Sequence, residues 1–217
     1  MIKRTRLTAK DRKALILANA RAIFAQSGYE AARTQEIARC SGVSEALMYR
    51  HFPSKEALYR AVLREVIREQ DESYDALTLQ ELNGRAIVRN LRAYFTIVVG
   101  SGEPRIKEGF RLLLASLVGD TNFATLVYRR AQRLMNHRIA AALNRARDAG
   151  EIIGREISVA NTSLFTEHVG TVLNVLATNV ERSPYQGDLD ALIRDAVWFC
   201  CRGVGFTDEA IERHMRD

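Results

Sequence analysis

The sequence predicts an all-α fold, and three observations carry that prediction. Apolar residues recur at steps of three and four, as at Ile16, Ala20, Ile23 and Phe24, which returns them to one helix face. Helix formers dominate, only 3 prolines occur in 217 residues, and no long alternating β-branched run is present. Charge is concentrated at one end: residues 1–60 hold 12 Lys/Arg against 5 Asp/Glu, and the remainder 20 against 21. The formal net charge of +6 therefore belongs to a helical head on a near-neutral body. Such a head points to a polyanionic partner, although a solubilising basic surface would give the same count.

The rest of the composition is ordinary, 47% apolar and 27% charged, in a chain long enough to bury a sizeable core. Cys40, Cys200 and Cys201 fit neither a disulfide framework nor a zinc site; they read as buried or partly buried free thiols in a reducing compartment. Asn161-Thr162-Ser163 matches a glycosylation sequon by chance, since nothing else suggests secretion. No apolar run approaches the ~20 residues of a membrane span. Asp11, Arg12, Lys13 and Arg21 interrupt the stretch that would otherwise suggest a signal peptide. The expectation is a cytoplasmic protein with no membrane segment.

Along the chain, Lys3, Arg4 and Arg6 form a basic arm expected to be disordered. Thr8 caps a first helix that stops at Ser27-Gly28. A short helix follows from about Thr34 to Cys40, with Ser41-Gly42 as a sharp stop, and Ser44 caps a second short helix to about His51. Pro53 ends it, and Ser54 caps a long helix with Leu58, Val62, Val66 and Ile67 on one face. Beyond Asp75 the pattern gives a helix marked by Ile87, Val88, Leu91, Tyr94, Phe95 and Val98, a loop at Ser101–Pro104 and a helix over Arg105–Val118. After a break at Gly119-Asp120 come a helix to Ala149, a long one over Ser158–Val180, a loop from Ser183-Pro184 to Gly187-Asp188, a helix over Leu189–Arg202 and a short one over Thr207–Met215.

The two short helices have what a helix-turn-helix needs. Gly42 tolerates the positive φ of the turn. Ala38 is small enough for close backbone approach, and Ile37, Val43, Met48 and Phe52 face a third helix. Ser44, Glu45, Leu47, Tyr49, Arg50 and His51 are then left outward on a helix that fits the ~12 Å major groove. Arg50 can read guanine or grip phosphate, and Tyr49 and His51 can hydrogen-bond phosphate. Lys55 sits at the first turn of the next helix, where free backbone N–H groups also favour an anion. A plain helical hairpin inside an all-α protein is the alternative, and the basic head weighs against it.

The stretch Gly28-Tyr29, Ile37-Ala38, Ser41-Gly42-Val43-Ser44 and Met48-Tyr49-Arg50-His51-Phe52-Pro53-Ser54-Lys55-Glu56-Ala57-Leu58 resembles the N-terminal domain of the tetracycline-repressor family. The resemblance spans roughly residues 14–62; the remainder matches in layout. It implies a nine- or ten-helix homodimer, with a DNA-binding domain at 1–53 and a ligand-binding and dimerisation domain at 54–217. The helices at 158–180 and 189–202 would pack against their copies. The partners implied are double-stranded DNA at a palindromic operator and a small-molecule effector that releases the repressor. By position, Ser44, Leu47, Tyr49, His51 and Lys55 fall on DNA-contacting sites, and Glu45 and Arg50 on sites that tune sequence preference. The family often has paired hydroxyl residues at the start of the second helix, whereas this chain has Ala32-Arg33-Thr34. Either the cap shifts to Thr34 or Arg33 substitutes a charged contact, so the individual roles of Arg33, Thr34 and Gln35 at the DNA stay open.

In the body, Tyr94, Phe95, Phe110, Phe123, Tyr128 and Phe165 are core aromatics, a few of which can line an apolar pocket. Arg111, in the run Phe110–Leu114, needs an acidic ligand or a carboxylate if buried. His137 and His168 read as hydrogen-bonded histidines near the core, or as pocket residues. The pocket candidates are thus Tyr94, Phe95, Phe110, Arg111, Leu114, Tyr128, His137 and His168. The scattered histidines lack metal-ligand spacing, and no phosphate loop, nucleophile elbow or catalytic triad stands out, so neither metal, cofactor nor catalysis is expected. The alternative is a helical small-molecule-binding protein or enzyme that retains the head.

Overall fold

The computed structural model describes residues 8–76, 81–100, 102–119, 121–179 and 184–216. The basic arm with Lys3, Arg4 and Arg6, and the loop residues Ser101, Asp120 and Ser183, lie outside the described residues. Ten α-helices and no strand occur among them.

The head begins with α1 (Ala9–Ala31). The Thr8 hydroxyl accepts from the Asp11 amide, and the Asp11 carboxylate accepts from the Thr8 amide, a reciprocal capping box. Gly28 does not end the helix as expected; it kinks it, and helical turns resume to Ala31. Next come α2 (Thr34–Cys40) and α3 (Glu45–His51). Gly42 between them has φ 64°, the left-handed turn that a β-carbon would strain. Ser44 caps α3 by accepting from the Leu47 amide at 3.2 Å, and Ser54 caps α4 (Lys55–Ala76) by accepting from Ala57.

The body comprises α5 (Gly84–Phe95), α6 (Pro104–Val118), α7 (Asn122–Asp148), α8 (Val159–Asn179), α9 (Leu189–Val204) and α10 (Asp208–Arg216). Helix α5 does not stop at Phe95: a π-helical turn, Thr96–Gly100, continues it. Such a turn leaves backbone carbonyls off their usual partners. One of them, on Val98, accepts from Asn174 Nδ2 of α8 at 2.5 Å, which accounts for a buried asparagine in an apolar helix.

Two apolar cores hold these helices. The first joins Ile16 and Phe24 of α1, Ile37, Met48 and Phe52 of the head, Leu58, Val62 and Val66 of α4, Leu112 and Leu113 of α6, and Phe123 and Val127 of α7. The second gathers Val88 and Phe95, Leu143, Leu173, Val197 and Cys201 with Phe206 and Ile211. Helix α1 thus packs on α4 and α6 as well as on α2. The apolar stretch around residue 16 belongs to this core. No single helix among the described residues is long and apolar enough to cross a membrane.

The thiols differ from expectation at one position. Cys200 and Cys201 are buried, but Cys40, at the end of α2, is exposed. The step from Ile37 and Ala38, which are buried, turns residue 40 away from the core.

Candidate nucleic-acid interface and internal cavity

Met48 anchors α3 with 1% exposure, and the helix turns Tyr49 and Arg50 to solvent beside Ser44. Of the other residues expected to face outward, Glu45, Leu47 and His51 are half-buried. The Ser44 hydroxyl is already engaged as a cap. Helix α2 is not capped by Thr34, the residue expected in that role. Arg33 occupies the cap position with no side-chain hydrogen bond, and Thr34 is already the first helical residue. The Thr34 hydroxyl donates to Glu45 Oε1 at 2.5 Å and accepts from the Tyr49 hydroxyl at 3.3 Å. Thr34, Glu45 and Tyr49 therefore tie α2 to α3 across the turn, while Arg33 and Gln35 stay exposed. Lys55 Nζ donates to the Glu30 carbonyl at 3.0 Å and lies 4.7 Å from the Tyr29 ring centroid, bracing the kinked end of α1 against the start of α4.

Behind the head lies an ion cluster that the sequence reading did not find. Arg21 of α1 is 2% exposed. Its Nη1 meets Glu69 of α4 at 2.7 Å, its Nη2 donates to the Arg105 carbonyl at 2.6 Å, and its Nε stands 3.1 Å from Glu108 of α6. Arg105 returns to Glu69 at 2.8 Å. Burial pushes the Glu108 carboxyl pKa up, and Arg21 pulls it back down. A guanidinium that hydrogen-bonds α4 and α6 through its two Nη atoms and ion-pairs with Glu108 fixes α1 to the body.

The body holds a partly open cavity of about 170 Å³ between α5, α7 and α8. Of the eight pocket candidates, Tyr94 and Tyr128 line it. The others lie elsewhere. Phe95 is core, Phe110 lines a smaller cavity of about 110 Å³ against α1 and α4, and Arg111 and Leu114 line a surface depression near Ala25. His137 and His168 are exposed rather than near the core, although His168 packs edge-on against Tyr128 at 5.4 Å.

The cavity also holds what was missed. Glu167 is the one charged residue lining it, and its carboxylate accepts from the Tyr94 hydroxyl at 2.9 Å. Burial raises the Glu167 pKa, and the Tyr94 bond opposes that rise. The Tyr128 hydroxyl is buried with no hydrogen-bond partner among the described residues, and burial beside Glu167 pushes its pKa up to about 12. Tyr94 and Glu167 line both cavities, so this pair is the partition between them. A signal for Glu167 was present: it is the only Asp, Glu, Lys or Arg in the whole of α8. No group of three His, Cys, Asp or Glu among the described residues is placed to hold a metal ion.

The architecture is thus a basic helix-turn-helix head joined to a larger helical body that holds a cavity. Residues 16–62 match the family described as bacterial regulatory proteins, tetR family. That match covers the head, and over its length the chain shares the fold of solved tetR-family proteins. A 65-residue stretch of the chain is 45% identical to the HTH-type transcriptional regulator RutR of Escherichia coli (strain K12). That stretch covers 30% of each protein. Over the whole fold, the chain is similar to a tetR-family regulatory protein from Rhodococcus RHA1, with a TM-score of 0.69, 21% identity and coverage of 93% of this chain and 100% of that one. It is also similar to AibR, solved with isovaleryl coenzyme A and operator DNA, with a TM-score of 0.64, 18% identity and coverage of 88% and 97%.

Proposed function

We propose that the chain is a ligand-responsive transcriptional repressor that binds a palindromic operator as a homodimer and leaves it when a small molecule enters the body. The observation that carries this is the head itself: a capped, glycine-turned α3 presents Tyr49 and Arg50 to solvent on a segment that holds the chain's whole charge excess. Arg33, Thr34, Gln35, Ser44, Glu45, Leu47, Tyr49, Arg50, His51 and Lys55 make up the DNA-facing set. Within it, Thr34 and Glu45 act by holding the α2–α3 angle. Exposed Phe165 and Val172 on α8 and Phe199 on α9 support pairing of two copies through those helices. AibR, which carries the same fold, was solved with both an acyl-coenzyme A and operator DNA, and that supports a ligand-responsive reading.

Release requires the ligand to favour one of two arrangements of the heads, whose α3 helices must sit about 34–36 Å apart to enter successive major grooves. The Arg21 cluster carries the coupling, because it joins α1 to α4 and α6 beside the smaller cavity. The test is binding of the full chain to a palindromic DNA duplex at increasing salt. A linear fall of log affinity with log salt is expected, with a slope reduced by about one by Lys55→Ala if Lys55 reaches a phosphate. A slope near zero would overturn the DNA-gripping reading. Arg50→Ala should in addition flatten the preference between duplexes that differ in one base pair.

A further inference from the structure

The cavity between α5, α7 and α8 has a chemical character that restricts its occupant. Its walls are mainly apolar, with Ile87, Leu91 and Met135 among them, and Asn90, Ser163 and Thr166 in the lining donate to carbonyls of their own helices. Glu167 is the only charge in that lining, and no lysine or arginine pairs with it among the described residues. The Tyr94 hydroxyl spends its hydrogen on Glu167, and the Tyr128 hydroxyl, also in the wall, has no partner among the described residues. Two tyrosine rings thus flank one buried carboxyl, and ring faces attract cations as a carboxylate does. A buried carboxylate without a counter-charge is costly, and an entering cation removes that cost. An entering anion would meet the carboxylate with nothing to offset it.

We propose that this cavity selects a small amphiphilic amine, its protonated nitrogen seated between Glu167, Tyr94 and Tyr128 and its hydrocarbon body against Ile87, Leu91 and Met135. The proposal rests on the ligand-responsive reading above and goes further by naming the ligand class. Gly170 preserves the geometry, because a β-carbon there would sit 2.2 Å from the Tyr94 hydroxyl and push it off Glu167.

The test uses the full chain without DNA, titrated calorimetrically at neutral pH with n-octylamine, octanoate and 1-octanol, which share a chain and differ in head charge. Octylamine should bind at least about tenfold more tightly than octanoate, a difference of ~1.4 kcal/mol. Glu167→Gln, to which Tyr94 can still donate, should cut that preference to within about threefold and leave octanol little changed. Met135→Trp, which fills the cavity without touching the carboxyl, should abolish binding of all three. Equal or tighter binding of octanoate, no measurable octylamine binding, or a preference that survives Glu167→Gln would each overturn the proposal. The operator titration separates the two readings. A chain that grips DNA but ignores the amine refutes the ligand class alone, and one that takes the amine but shows no salt-dependent DNA binding refutes the regulator.

Discussion

Gly170 shows how one missing side chain can set a site. Its hydrogen lets Tyr94 cross to Glu167, one turn away on α8. Gly170→Ala is expected to cost about 1–3 kcal/mol through overpacking, read by urea unfolding. Tyr94→Phe, which keeps the ring and removes only the hydrogen bond, should cost about 0.5–1.5 kcal/mol. If the alanine variant proved as stable as the parent, the close approach would be wrong. The thiols offer a second test at this scale. Cys200 and Cys201 are pushed up to about 11 and about 12 by burial, so in the folded chain an aromatic disulfide reagent at neutral pH should modify Cys40 alone. Above the ordinary thiol pKa of 9.0 the unfolded chain sheds both protons while the fold retains them, so stability should fall as pH rises from about 9 towards 12. Replacing both residues by serine should reduce that slope to the part owed to Tyr128, whose pKa burial also raises.

At the scale of elements, the head was legible in sequence because its determinants are local. Thr8, Ser44 and Ser54 each bond an amide three residues on, and Gly42 needs only its own backbone angle. Ser44→Ala should therefore cost about 1 kcal/mol of stability. Gly42→Ala meets no neighbour within 4 Å, so its cost of roughly 1–2 kcal/mol would be backbone strain alone. Thermal unfolding of both variants checks this, and a larger loss at residue 42 would point to a contact rather than a dihedral. The start of α2 read less well. Whether Thr34 caps its own helix or reaches across to Glu45 depends on the angle between α2 and α3, and residue spacing does not encode that angle. The continuation of α5 to Val98 was legible from its apolar spacing, but the π geometry of that turn was not, since the compensating donor is Asn174, 76 positions away.

At the scale of the whole molecule, the least legible feature was Arg21. It stands in a helix beside apolar neighbours, and its partners lie 48 and 84 residues further on. Sequence alone marked it as a break in an apolar run; only the packing of α1 on α4 and α6 shows it as a buried hub. Arg21→Ala should destabilise the chain by about 3–5 kcal/mol, because Glu108 loses its ion-pair partner and Glu69 is left with Arg105 alone. A triple change of Arg21, Glu69 and Glu108 to apolar residues of similar volume should recover much of that loss while weakening ligand control of DNA binding. Full recovery with ligand response intact would remove the cluster from the coupling path.

The apolar core shared by head and body also limits how this chain can be recombined. A graft that exchanged residues 1–53 for the head of a related protein would set a foreign α1 against α6, in a core where Ile16 and Phe24 are gathered with Leu112, Leu113, Phe123 and Val127. Chimeras cut at that seam should melt below either parent, whereas grafts that also bring the matching faces of α6 and α7 should not. Retargeting to a new operator is better done by changing Tyr49, Arg50 and their exposed neighbours in place. For this chain the transplantable cassette is discontinuous in sequence.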